Sequence, residues 1–235
     1  MKKSHIATLI VFLVLIPLTL ILGSRLSGRA FYVTSTLVIV ELLIPFFLAF
    51  EGRRPQAREL VVLAVMCALA VAGRVAIPIP NFKAIFGIIM IAGIAFGPES
   101  GFLVGAISAL ASNFFYSQGP YTPWQMMAYG AGGMLAGFVF AKGRLPRKPV
   151  IMGIFGFLAV TFFVGPLLDT CSVFLVMSRI TLKGAMAFYI SGFPVNLRQA
   201  VATAIVLLAL GKPLLEKLDR IKTKYGILDD GGKEA

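Results

Sequence analysis

Apolar runs long enough to cross a bilayer follow one another along most of this chain, and no other feature narrows its fold as far. A spanning helix needs about 20 mostly apolar residues. Runs of that kind, or close to it, cover residues 6–23, 31–50, 59–77, 84–97, 101–116, 123–141, 150–177 and 185–210. The run at 84–97 is short for a span and also fits a re-entrant piece. The first run, behind Lys2 and Lys3, resembles a signal peptide. It is long and lacks a small-residue cleavage site, so it reads as a retained helix. Only 14% of the 235 residues are charged, against about 25% in a soluble domain. A globule in water would lack polar surface to cover itself, and lipid removes the difficulty. The expected fold is an all-α, multi-pass integral protein of the cell membrane.

A net charge of +12 invites a nucleic-acid reading, which the positions of the charges exclude. The cations sit in short clusters between apolar runs, as topology signals do. With eight spans and both termini cytoplasmic, the inner side holds Lys2, Lys3, Arg53, Arg54, Arg58, the 142–148 cluster and the 212–233 lysines and arginines. The outer side and outer helix halves keep Arg25, Arg29, Arg74, Lys83, Arg179, Lys183 and Arg198, seven of the 22 cations. A seven-span arrangement would put either the 142–148 or the 212–224 cluster outside, so eight is preferred. The polar segment EGRRPQAR, residues 51–58, separates an N-terminal pair of helices (1–55) from a six-helix unit (56–211). The charged tail (212–235) carries Leu214, Leu215, Leu218, Ile221 and Tyr225 roughly on one helical face, and is expected to be an amphipathic helix on the membrane surface or against a partner. No internal repeat is evident.

Three stripes of small residues at four-residue spacing would let helices approach closely in lipid. They are Ala64/Ala68/Ala72, Gly101/Gly105/Ala109 and Gly133/Gly137/Ala141. Each reads first as helix packing within the chain, with docking of another membrane subunit as the functional alternative. At the expected outer ends the loops are polar and aromatic, with IPNFK at 79–83 and NFFYSQGPYTPWQM at 113–126. Aromatics at an interface ordinarily form an anchoring belt, which leaves the amides Asn81, Asn113, Gln118 and Gln125 unexplained. Aromatic walls with a few directed polar groups make a small-molecule pocket. Charges inside spans are costly and therefore informative. Asp169 and Arg198 fall at similar depth, where they could pair with each other or face a ligand, with Asn196 nearby. Glu41 is either a packing partner or a proton-linked group.

Several chemistries are excluded. The chain has one histidine, His5, and two cysteines, Cys67 and Cys171, within apolar runs, so a metal site, disulfide framework or catalytic triad cannot be assembled. There is no G-x-x-x-x-G-K-[ST] motif to bind ATP. No cofactor, no metal and no enzymatic activity are expected.

The six-helix unit resembles the substrate-binding S component of energy-coupling factor (ECF) vitamin transporters. The resemblance rests on Ala64-x-x-x-Ala68, the IPNFK loop, IAFGPESGFLVG at 94–105, the stretch 109–137 and KPLLEKLDRIKTKYG at 212–226. It implies a subunit that captures a micronutrient from outside and works with a transmembrane coupling subunit and two cytoplasmic ATPases. It further implies that Ala64, Ala68 and Ala72 contact the coupling subunit and that the loop around Asn81, Phe82 and Lys83 is a lid. Tyr116, Gln118, Trp124, Gln125, Tyr129, Asp169, Asn196 and Arg198 would line the pocket, beside Asn113. The GPYTPWQM segment looks most like members tied to cobalamin or its precursors. The N-terminal pair of helices departs from the six-helix core. A stand-alone, ion-coupled secondary transporter, with Glu41 or Asp169 as its proton site, is the alternative.

Overall fold

The computed structural model describes residues 10–15, 18–19, 30–52, 56–140, 143–177 and 180–226. Most of the first expected run, together with Arg25, Arg29, Arg53, Arg54, Ala141, Lys142, Arg179 and everything past 226, lies outside the described residues. Every expected run from residue 31 onward is a helix: α1 (Ala30–Gly52), α2 (Ala57–Val75), α3 (Ile85–Phe96), α4 (Pro98–Tyr116), α5 (Thr122–Phe140), α6 (Pro149–Val176) and α7 (Leu182–Tyr225). A π-helical turn at Val11–Leu15 precedes them. Of these, α6 and α7 are long and apolar enough to cross a membrane on length and composition alone. Val61, Val65, Leu69, Phe114, Phe162, Ile190 and Leu208 are all exposed. An exposed apolar surface on this scale is unsuited to water and suited to lipid.

The middle of the bundle is α3, whose twelve residues are all buried. At about 1.5 Å per residue it is roughly 18 Å long, well short of the ~30 Å hydrocarbon layer. Protein rather than lipid surrounds it, so bilayer thickness does not set its length. Phe86 at its start meets the Tyr129 ring edge-on at 4.5 Å. Its far end is held by cations: Lys222 Nζ donates to the carbonyl of Ala95 (2.7 Å) and Arg147 Nη2 to that of Ile94 (3.1 Å). The last carbonyls of a helix lack intrahelical donors, and basic side chains supply them here. Arg147 also pairs with Asp219 at 3.2 Å, tying the α5–α6 loop to α7.

Between α3 and α4 stands one residue, Gly97, at φ 93°, ψ 175°. Only glycine adopts that conformation readily, and it folds α4 straight back along α3. The glycine stripes then mesh. A methyl placed on Gly101 would fall 2.5 Å from the carbonyl oxygen of Gly133, and one on Gly137 would fall 2.6 Å from Pro98 Cα. Two of the three small-residue stripes are thus used up inside the chain.

Within α6 the backbone widens to a π turn at Val160–Val164 just before Gly165 and Pro166. Proline has no N–H and its ring crowds the carbonyl four residues back; the wider turn lets the helix continue. The first part of the expected amphipathic tail continues the last apolar run as one helix. α7 runs unbroken for 44 residues through Pro194 and Pro213, about 66 Å. Its apolar face is covered by the bundle itself, with Leu215 and Leu218 buried in the same core as Leu63, Phe96 and Met152. Thr181 caps its start by accepting from Gly184 N, and Gly226 at φ 59° ends it.

The helix outside the six-helix unit, α1, docks on α4, α5 and α6. Leu43 packs with Phe102 and Ala106, Ile39 with Trp124 and Cys171, and Phe47 meets Phe102 edge-on at 6.5 Å. Thr36 Oγ1 donates to the Pro120 carbonyl at 3.4 Å. Glu41 accepts from Thr19 Oγ1 at 2.5 Å through Oε1, while its Oε2 is buried without a partner among the described residues.

Candidate functional site

The last turn of α2 carries Arg74, which the sequence marked only as an outer cation. Its Nη1 donates to Ser112 Oγ (2.5 Å) and to Asn113 Oδ1 (2.9 Å) at the end of α4. The guanidinium also sits over the rings of Tyr116 (4.9 Å) and Tyr129 (5.6 Å). Cations are attracted to aromatic faces, more strongly where water is excluded. Tyr129 is buried, whereas Tyr116 is 44% exposed. Tyr116 closes the ring by donating from its hydroxyl to the Arg74 carbonyl at 3.0 Å.

Asn113 is fully buried and links three elements. While its oxygen accepts from Arg74, its Nδ2 donates to Thr122 Oγ1 (3.1 Å) and Gln125 Oε1 (2.8 Å) at the start of α5. Thr122 in turn donates to Gln118 Oε1 (2.9 Å) and accepts from Gly119 N (3.2 Å). Gln118 Nε2 donates to the Leu110 carbonyl. Four expected site residues, Asn113, Tyr116, Gln118 and Gln125, therefore belong to one network, which Tyr129 floors through Arg74. Ser112 and Thr122 complete it, and sequence reasoning passed over both.

The two loops beside this network carry the two described non-glycine residues with positive φ, Asn81 (56°) and Ser117 (76°). Such conformations cost about 1–3 kcal/mol and persist where surroundings enforce them, often at binding sites. In the first loop Phe82 is half-buried, and its N–H donates to the Ile79 carbonyl at 3.3 Å. Lys83 N donates to Gln199 Oε1 of α7 (2.9 Å), and Lys83 Nζ donates to the Ile77 carbonyl.

A second polar group joins α6 to α7. Asn196 Nδ2 donates to Asp169 Oδ2 at 2.7 Å, and the Thr170 and Tyr189 hydroxyls lie 2.8 Å apart. Both partners rest on glycines: a methyl on Gly165 would strike Asn196, and one on Gly192 would strike Asp169. The expected approach of Asp169 to Arg198 is not found. Arg198 is exposed and donates from Nε to the Pro194 carbonyl at 3.3 Å, on its own helix. Trp124 is 8% exposed, stacked at 5.4 Å on Phe174, with its indole N–H buried and unpartnered among the described residues.

Ala64, Ala68 and Ala72 are all exposed. They line an apolar groove of about 640 Å³, whose other wall is Leu103, Ile107 and Phe115 of α4. The described part of α1 packs on other faces and leaves this groove open.

Replacing Asn113 with Leu should cost about 1–3 kcal/mol of stability, because Arg74 and Gln125 lose a buried partner. Thermal unfolding in detergent reads the effect. Unchanged values would show that the network holds without its amide.

An all-helical fold with a lipid-suited exterior and a hydrogen-bonded polar cluster at one end of the bundle defines a helical membrane protein. Its family follows from comparison with known proteins. Residues 55–216 match the family described as ECF-type riboflavin transporter, S component, and the chain belongs to that family. No curated protein and no solved structure matches it. The protein is accordingly a membrane-embedded, substrate-binding subunit of an ECF-type transporter, a transport component rather than a member of an enzyme class.

Proposed function

We propose that this S component captures a flavin-type vitamin from outside, at the end of the bundle formed by Arg74, Asn113, Tyr116 and Tyr129. The family match carries this reading, since it is to riboflavin S components. The chemistry of the cluster supports it. A planar, fused heteroaromatic ring is suited to stacking on the exposed Tyr116, and its carbonyl and imide edge is suited to the amides of Gln118 and Gln125. The corrinoid expected from the GPYTPWQM segment takes second place on these grounds. The chain spans the membrane eight times with both termini cytoplasmic, the arrangement that the cation clusters favour. Delivery depends on a transmembrane coupling subunit, which docks on the Ala64–Ala68–Ala72 groove, and on two cytoplasmic ATPases. Asn81, Phe82 and Lys83 form the lid. Asp169 and Asn196 extend the pocket towards α6 and α7, with Trp124 and Arg198 at its margins.

Titration of the purified protein with riboflavin and with cobalamin tests the substrate. Riboflavin is expected to bind with a Kd of about 1 µM or tighter, and cobalamin at least about 100-fold more weakly. The opposite ranking would return the pocket to a corrinoid, and binding of neither would remove the vitamin assignment.

A further inference from the structure

Arg74 is in no ion pair among the described residues. Its two Nη1 hydrogens are taken by Ser112 and Asn113, and Nε and Nη2 have no acceptor among the described residues. A charge drawn partly out of water is costly unless it is paired. The segments that hold the entire Arg74 network, residues 60–98 and 100–168, contain neither Asp nor Glu. Glu99 sits at the opposite end of α4 from Tyr116, and Asp169 is engaged by Asn196. Lys83 adds a second cation, its Nζ 5.9 Å from the centre of the Tyr116 ring that Arg74 also covers. It too is in no ion pair among the described residues.

The direction of the free donors adds to this. Ser112 and Asn113 fix the guanidinium through one terminal nitrogen, which leaves the edge formed by Nε and Nη2 unoccupied. That edge is the two-pronged fork that matches the paired oxygens of a carboxylate or phosphate. We infer that Arg74, with Lys83 beside it, is a receptor for an anionic group, and that the ligand is a carboxylate- or phosphate-bearing form of the vitamin. The inference rests on the cluster being the ligand site proposed above.

Riboflavin and riboflavin 5′-phosphate differ by one phosphate and separate the two claims. The wild-type protein should bind the phosphate ester about tenfold or more tightly than riboflavin, as charge-assisted hydrogen bonds warrant. In Arg74→Gln that ratio should fall to about one; in Arg74→Lys, which keeps the charge and loses the fork, it should be intermediate. Lys83→Gln, on a loop, gives a second reading independent of how well Arg74 variants fold, and should lower the ratio about threefold. Equal or tighter binding of riboflavin, or a ratio that survives both Arg74→Gln and Lys83→Gln, overturns the inference and leaves a flavin pocket standing. If neither flavin binds, the flavin reading fails and this inference with it. Repeating the titration in nanodiscs of phosphatidylcholine with and without phosphatidylglycerol distinguishes a soluble anion from a lipid headgroup. The same ratio in both supports a soluble ligand; a preference abolished by phosphatidylglycerol assigns Arg74 to the headgroup and overturns the proposal.

Discussion

Gly133→Leu is expected to leave no monodisperse, folded protein in detergent. At this position the backbone of α5 lies against that of α4, and even a methyl would fall 2.7 Å from the carbonyl carbon of Gly101 and 2.7 Å from a side-chain carbon of Ile89. Neither Gly101 nor Gly93, the neighbours across the contact, has a side chain that could turn away. The helices themselves must separate, and that unseats α3, which packs against both. Overfilling a side-chain core costs about 1–3 kcal/mol; a clash with backbone exceeds that, against a total stability of about 5–15 kcal/mol. Helix association in lipid depends on close packing rather than on expulsion of water, so nothing offsets the lost approach. Size-exclusion profiles and melting curves of Gly133→Leu and of Gly133→Ala read the effect, with the alanine variant also well below wild type. A wild-type melting temperature in the leucine variant would mean that α4 and α5 do not meet here.

The positions of the helices were legible because hydrophobicity sets them directly: each apolar run from residue 31 to 210 became a helix, with ends moved by a few residues except in α7, which runs on to Tyr225. What rotation and partner choice decide was not legible. Asp169 and Arg198 share a depth, yet depth says nothing about azimuth. Asn196 and Arg198 are two residues apart, about 200° around a helix, so when Asn196 faces Asp169, Arg198 must face away. Three small-residue stripes were equivalent in sequence, and only the fold shows that two mesh with one another. Arg74 looked like one more interfacial cation. Its network draws on residues 74, 112–113, 116, 118, 122 and 125, and no local pattern brings the first of these to the rest. The amphipathic face of the tail was legible but not what covers it: Leu215 and Leu218 are buried in the bundle core rather than on a membrane surface.

The remaining stripe makes the second large effect, one that separates binding from transport. Ala64→Leu combined with Ala68→Leu should abolish coupled uptake while leaving ligand affinity within about twofold and the melting temperature nearly unchanged, since exposed substitutions usually shift stability by no more than about 0.5 kcal/mol. Both alanines are exposed and border an open groove of about 640 Å³, which leaves room for the added side chains. A partner helix seated in the groove is a different matter. Small residues permit close helix contact in lipid, and two added isobutyl groups would hold the partner away along its length. The internal control lies on the same helix: Ala70 is 0% exposed, so Ala70→Leu should overfill the core, destabilise the protein by about 1–3 kcal/mol and disturb binding and uptake together. Uptake by cells carrying the full transporter, set beside titration of the isolated subunit, gives the comparison. Wild-type uptake in the double variant would move the coupling face elsewhere on the bundle, whereas parallel loss of binding and uptake would mean that the groove transmits to the Arg74 network at the far end of α2.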